Sequence, residues 1–196
     1  PAISGDYVYI GSWDTRVYCL NKNTGEKKWG YKTVWTIFSS PAISGDYLYI
    51  GSDKIYCLNK LTGKKVWEYE TGKSVWSSPA ISGDYLYIGS DDYMIYCLNK
   101  DTGEIVWEYE TGGKVSSSPA VSGNYLFIGS DDKKVYCFKR VLISKPKPAV
   151  SSLNLDFGIL KKGVISSKKI EVKNEGEGLL EGSIESDSSW IMPDIT

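Results

Sequence analysis

Histidine is absent from this chain of 196 residues. That absence removes Ser-His-Asp and Cys-His nucleophilic arrangements together with every histidine metal ligand. An excess of positive charge is missing too: 23 Lys and Arg stand against 24 Asp and Glu, and the basic runs are pairs such as Lys27-Lys28, Lys64-Lys65, Lys133-Lys134 and Lys161-Lys162. Without a basic face a protein releases few counterions from nucleic acid, so no nucleic-acid partner is expected. No window approaches the ~18 apolar residues of a membrane span. Helix signals are scarce as well, because Gly and Pro interrupt the chain before a 3.6-residue apolar stripe reaches ten residues. P-loop, GxGxxG and EF-hand patterns do not occur.

What is present is repetition. PAISGDYLYIGS starts at Pro41 and again at Pro79; it opens the chain at Pro1 with Val8 substituted, and recurs at Pro119 with Val121, Asn124 and Phe127 substituted. The starts are 40, 38 and 40 residues apart, a period in the ~40 to 50 residue range of propeller blades. Within one unit, Ser78 to Ser82 is predicted as a short strand, and Gly83-Asp84 as a two-residue hairpin whose leading Gly suits a type II′ turn. Tyr85 to Ile88, Met94 to Leu98 and Ile105 to Tyr109 complete four antiparallel strands. The second strand alternates aromatic with aliphatic residues, so both faces of the sheet are apolar and each must be covered by another copy. The fold class is therefore all-β, a β-propeller of four-stranded antiparallel blades with three full blades and one partial blade.

Cys19, Cys57, Cys97 and Cys137 occupy one position of the repeat. Equivalent sites on successive blades lie beyond the ~7 Å Cα limit of a disulfide. Four free, buried thiols acting as small hydrophobes are expected.

At the third turn the copies read Thr24-Gly25-Glu26-Lys27-Lys28-Trp29, Thr62-Gly63-Lys64-Lys65-Val66-Trp67 and Thr102-Gly103-Glu104-Ile105-Val106-Trp107, each preceded by VYCLNK or IYCLNK. This pattern, over residues 1 to about 140, resembles the PQQ-like propeller repeat of the BamB and quinoprotein type. The resemblance implies that Gly25, Gly63 and Gly103 shape hairpins and that Trp29, Trp67 and Trp107 dock one blade on the next. Quinoprotein dehydrogenases also carry vicinal cysteines, which this sequence lacks. No cofactor, metal or catalytic residue is expected here.

The fourth copy has no TGxxxW after Arg140. Residues 1–144 are read as propeller blades and Lys145-Pro146-Lys147-Pro148 as a linker. Residues 149–196, with LDFG, KKIEVKNEGEGLLEGSI and SSW, resemble part of an immunoglobulin-like module of the ASH or Hydin type. That likeness implies an extracellular, cell-surface or periplasmic setting. Exposed end blades imply either a longer polypeptide or further copies of the chain that complete a ring.

Core duties repeat and binding duties need not, so the residues that break the repeat are the candidate recognition surface. Trp35, Phe38, Lys73, Trp76 and Lys114 lie in the inter-blade connections, and Asp91, Asp92 and Tyr93 in a Gly-Ser-Asp hairpin on the same propeller face. The Asp pairs suit tight turns, and the aromatics either line the channel or bind. The leading reading is a non-enzymatic interaction scaffold for a protein or other macromolecule. Two alternatives are a segment of an enzyme whose active residues lie elsewhere and a carbohydrate-binding surface built on Trp35 and Trp76.

Overall fold

The computed structural model describes residues 1–139 and two short strands further on. The chain divides into two compact units, Pro1–Arg140 and Val141–Thr196. In the first, each repeat forms one antiparallel sheet in sequence order. Blade 1 contains β1 (Ala2–Ser4), β2 (Tyr7–Gly11), β3 (Arg16–Asn21) and β4 (Lys27–Lys32). Blade 2 contains β5 (Ala42–Ser44), β6 (Tyr47–Gly51), β7 (Ile55–Asn59) and β8 (Lys65–Tyr69). Blade 3 contains β9 (Ala80–Ser82), β10 (Tyr85–Gly89), β11 (Met94–Asn99) and β12 (Ile105–Glu110). Blade 4 contains β13 (Ala120–Ser122), β14 (Tyr125–Ser130) and β15 (Lys134–Lys139).

The first hairpin of every blade has the expected chemistry. Gly83 takes a φ of +62° while Asp84 stays out of the left-handed region, as a glycine-led two-residue turn requires. Ser78 and Pro79, expected within the strand, precede it. Proline has no N–H for the ladder, and the Ser78 N–H donates instead to Ser118 Oγ at 3.0 Å, in the next connection. Ser40 donates to Ser78 Oγ in the same way, at 2.8 Å. One serine per connection therefore links successive inner strands around the axis.

Alternation along the second and third strands builds two different faces. Tyr9, Val17 and Cys19 of blade 1 pack on Leu48, Ile50, Tyr56 and Leu58 of blade 2. Tyr49, Ile55 and Cys57 of blade 2 pack on Leu86, Ile88, Tyr96 and Leu98 of blade 3. Tyr87 and Cys97 of blade 3 meet Leu126 of blade 4, and Ile95 meets Ile128. Every interface thus sets a face bearing tyrosine and thiol against one rich in Leu and Ile. Each Leu or Ile buried in this way contributes about 1.5–3 kcal/mol, which a lone four-stranded sheet with wet faces forgoes.

Double coverage holds for blades 2 and 3, and the end blades depart from it. Blade 1 leaves Ile3 and Ile10 exposed, and blade 4 leaves Tyr125, Phe127 and Val135 exposed. The expectation of four buried thiols fails for the same reason: Cys19, Cys57 and Cys97 are buried, whereas Cys137 is exposed. Cys137 occupies the face that blade 3 covers with blade 4, and among the described residues nothing covers it on blade 4. Burial pushes the Cys57 thiol up to about 12, with the Asp101 charge adding to the effect, so that thiol is inert at neutral pH.

In the second unit, β16 (Pro148–Val150) pairs antiparallel with β17 (Val172–Asn174). Pro148 begins a strand where the linker was expected to end, and Asn174 ends one where a turn was expected to begin. The remaining strands foreseen for an immunoglobulin-like module, and the stub foreseen at residues 141–144, lie outside the described residues.

Candidate functional site

The inter-blade connections share the frame Thr-x-x-x-(Ile/Val)-x-Ser-Ser-Pro, beginning at Thr33, Thr71 and Thr111. Its central residue is pinned to the Gly-Ser hairpin of the blade just completed. The Ile37, Val75 and Val115 N–H groups donate to the carbonyls of Ser12 (3.2 Å), Ser52 (2.7 Å) and Ser90 (3.0 Å). Those three side chains are buried. In extended chain the next residue points the opposite way, which turns Phe38 and Trp76 outward.

The result is a row of rings crossing from blade to blade. Trp13, in the β2–β3 hairpin, lies 5.3 Å from Phe38 by ring centroids, and Phe38 lies 5.0 Å from Trp76, at tilts of 52° and 42°. Exposures of 72% for Trp13, 47% for Phe38 and 42% for Trp76 leave the row open to solvent. Its far end is cationic: Lys114 Nζ stands 5.5 Å from the Trp76 ring centroid. The same ammonium donates to Asp91 Oδ2 at 2.9 Å, and the Ser116 hydroxyl donates to Asp91 Oδ1 at 3.1 Å. The Asp91 hydrogen bond, followed by its charge, holds the Lys114 pKa above the ordinary lysine value. A cleft of about 430 Å³ opens beside Trp13 and Phe38, with Pro1, Ile10, Tyr18 and Ser40 among its walls.

Four of the eight candidates, Phe38, Trp76, Asp91 and Lys114, therefore meet. Lys73 and Tyr93 form a separate pair, the ammonium 5.3 Å from the ring centroid. Trp35 is half-exposed and stands apart, its carbonyl accepting the Ser52 hydroxyl at 2.9 Å. Asp92 accepts from the Gly72 N–H (2.7 Å), the Met94 N–H (3.0 Å) and the Tyr96 hydroxyl (2.8 Å), tying the exit of blade 2 to blade 3. Trp13 escaped the sequence reading although the signal was present: it stands where blades 3 and 4 have Asp91 and Asp131 after Gly-Ser.

Asp132 repeats the Asp92 arrangement in blade 4. The Tyr136 hydroxyl first, then the Gly112 and Lys134 N–H groups, lower its carboxyl from the usual 3.8 to about 2. A carboxyl that titrates lower in the folded state stabilises fully above its unfolded value. That contribution is lost as pH falls through the folded one. Between about pH 4 and pH 2, Asp132→Asn is expected to flatten the acid-unfolding curve followed by circular dichroism; an unchanged slope would contradict the clamp.

The tryptophans named for docking lie at blade contacts. Trp29 Nε1 donates to the Lys60 carbonyl and Trp67 Nε1 to the Lys100 carbonyl, both at 3.0 Å. Their rings lie over Gly63 and Gly103, where an added Cβ would sit 2.6 Å away. Trp107 packs on Phe138, 5.3 Å between centroids. Among the described residues nothing lies within 4 Å of where a Cβ on Gly25 would stand.

Sheets of this topology, stacked through these faces, define the protein as a PQQ-like β-propeller-repeat protein. Residues 1–70 and 51–141 match the family model described as outer membrane protein assembly factor BamB, and the chain belongs to that family. No curated protein matched the sequence. Among solved structures, BamB from Moraxella catarrhalis is 25% identical with a TM-score of 0.62, over 69% of this chain and 46% of that one. The computationally designed Ika4 protein is 14% identical with a TM-score of 0.64, over 71% of this chain and 88% of its own. The designed Ika8 protein is 15% identical with a TM-score of 0.63, over 70% and 44%. The chain spans less than half the length of the Moraxella protein.

The aromatic face does not fit a quinone cofactor carrying several carboxylates. Lys114, the lysine at the end of the stripe, is already engaged by Asp91, and Lys73 lies apart from the stripe against Tyr93.

Proposed function

We propose that this chain is a non-catalytic scaffold of the cell envelope that captures a protein partner on the stripe Trp13–Phe38–Trp76, with residues 149–196 forming an appended immunoglobulin-like module. The observation that carries the reading is the continuity of three exposed, mutually packed rings ending at a held lysine. Exposed contiguous apolar surface marks interaction sites, and tryptophan dominates interface hot spots. The 42–52° tilts between neighbouring rings offer apolar side chains a corrugated groove and give a sugar no shared flat platform. The family description, an outer membrane assembly factor, supports a protein partner and an envelope setting.

The test uses a displayed random-peptide library, with a glycan array and PQQ plus calcium as comparisons. Wild-type protein is expected to enrich peptides rich in apolar residues and to retain neither glycan nor quinone. The double variant Phe38→Ser/Trp76→Ser should lose at least about 100-fold in affinity for those peptides, with its melting temperature unchanged because both rings are half-exposed. Equal capture by the double variant, or retention of glycans alone, would sink the proposal.

A further inference from the structure

The aromatic stripe has a regular spacing. Trp13 to Phe38, Phe38 to Trp76 and Trp76 to the Lys114 ammonium are steps of 5.3, 5.0 and 5.5 Å. Side chains on one face of an α-helix recur once per turn, about 5.4 Å along its axis. Those on one face of an extended strand recur at every second residue, about 6.6–6.8 Å, and would slip by about 1.5 Å at each ring. A helix laid along the row therefore sets one side chain into each notch between tilted rings, and a strand falls out of step.

The stripe also has a direction, set by the third connection. Ser116 stands where the first and second connections have Phe38 and Trp76, so the apolar row stops there and a polar group follows it. The Asp91 side chain, 6% exposed, holds the 45%-exposed Lys114, and its other oxygen accepts the Ser116 hydroxyl. Among the described residues the bond to Asp91 is the ammonium's one hydrogen bond. An ammonium has three donors, so two N–H groups are left for a partner. Because the Asp91 carboxylate already balances the charge, those groups suit backbone carbonyls better than a second carboxylate. The last turn of a helix offers such carbonyls, unpaired within the helix and carrying together about half a negative charge. Lysine side chains near a helix C-terminus bond them. Phe38, Trp76 and Lys114 each stand on a connection with a described blade on either side.

From this we infer that the partner segment is an amphipathic α-helix of about three turns, lying along Trp13, Phe38 and Trp76 with its C-terminal end at Lys114. The inference rests on the proposed capture at this stripe and adds the shape and direction of what is captured. Three turns hold about 11 residues over about 16 Å, and apolar residues at i, i+4 and i+7 fill the notches. An isolated helix of that length is marginal in water. The segment therefore orders as it binds, and a probe locked in the helical form should bind more tightly than a free one.

Fluorescence anisotropy with the full 196-residue chain tests this on three synthetic probes of about 14 residues, acetylated and amidated so that no terminal charge intervenes. One carries leucines at i, i+4 and i+7 and is locked helical by a brace on its polar face; the second is the same sequence unlocked; the third has equal composition with leucines at alternate positions. The locked helix is expected to bind at least about 10-fold tighter than either of the others, and Phe38→Ser/Trp76→Ser should weaken it about 100-fold. Lys114→Met should weaken the locked probe about 5-fold and leave the alternating probe unchanged, at an unaltered melting temperature. A photo-cross-linker at the C-terminal end of the locked probe should mark residues 111–119, and one at its N-terminal end the hairpin bearing Trp13. An alternating probe that binds as tightly as the locked helix overturns the inference and leaves capture at the stripe standing. The same holds if the locked helix fails to bind a protein that still enriches apolar peptides through Phe38 and Trp76. Cross-links at the opposite ends, or full affinity in Lys114→Met, overturn it too. Equal binding of the locked helix to wild type and to Phe38→Ser/Trp76→Ser overturns the inference and the capture reading together.

Discussion

Gly103→Ala is expected to destabilise the protein by about 2–5 kcal/mol, against about 1–2 kcal/mol for Gly25→Ala. Both glycines hold the same hairpin position with φ near +75°, +76° at Gly103 and +73° at Gly25. The steric penalty of a left-handed alanine is therefore shared. Only Gly103 has the Trp67 ring over it, at a distance that a Cβ would cut to 2.6 Å, so the indole must lift from the blade it plugs. Removing the ring isolates that difference. In a Trp67→Ala background, itself costing about 3–5 kcal/mol, Gly103→Ala should fall back to the value seen at Gly25. Urea and thermal unfolding of the four variants measure this, at about 2–4 °C per kcal/mol for a chain of this size. Equal costs at Gly25 and Gly103 would show that the tryptophan does not bind blade to blade.

Asp92→Ala is expected to cost about 3 kcal/mol or more, because it strands several donors at once. The Gly72 and Met94 N–H groups and the Tyr96 hydroxyl all point at this carboxylate; the exposed Gly72 N–H can turn to water, whereas the Met94 and Tyr96 donors are partly buried, and a buried donor left unsatisfied costs about 1–3 kcal/mol. Gly72 belongs to the segment leaving blade 2 and Met94 and Tyr96 to blade 3, so the loss should loosen the seam between two sheets as well as one turn. Asp92→Asn retains an acceptor oxygen and should recover part of the loss. Asp91→Ala is a useful contrast, since Asp91 serves the half-exposed Lys114 and Ser116. Its removal should affect the charge at the end of the aromatic stripe more than the unfolding midpoint. A midpoint that falls as far for Asp91→Ala as for Asp92→Ala would contradict this division of labour between adjacent carboxylates.

The adjacent Asp91 and Asp92 show where sequence reading stops. As letters they are a turn pair, and turn chemistry does account for the Asp92 contact with Met94. Which of the two aims at a neighbouring sheet and which at the solvent-facing stripe depends on the direction of each side chain from the hairpin. The left-handed Tyr93, φ +78°, is part of that hairpin geometry. Trp13 is a similar case: its departure from the repeat is visible in the sequence, but its approach to Phe38 follows from the Ile37 N–H being pinned to the Ser12 carbonyl, 25 residues away along the chain. Phe38 and Trp76 are legible in the sequence as aromatics that break the repeat, standing where the third connection has Ser116; their contact with each other depends on the placement of two successive connections.

The repeat by itself determined the strands, the hairpins and the need for two covered faces, because a period of two with apolar residues on both sides is a statement about one sheet and its immediate neighbours. Only the tertiary structure decided which residues meet between sheets: the stripe across the connections, the separate pairing of Lys73 with Tyr93, the solitary position of Trp35, and the exposure of Cys137 at a position buried in three earlier copies. Those outcomes depend on which sheets stand beside one another among the described residues. Residues identical in sequence have identical local geometry but different neighbours, and the neighbour is what sets burial, charge pairing and exposure.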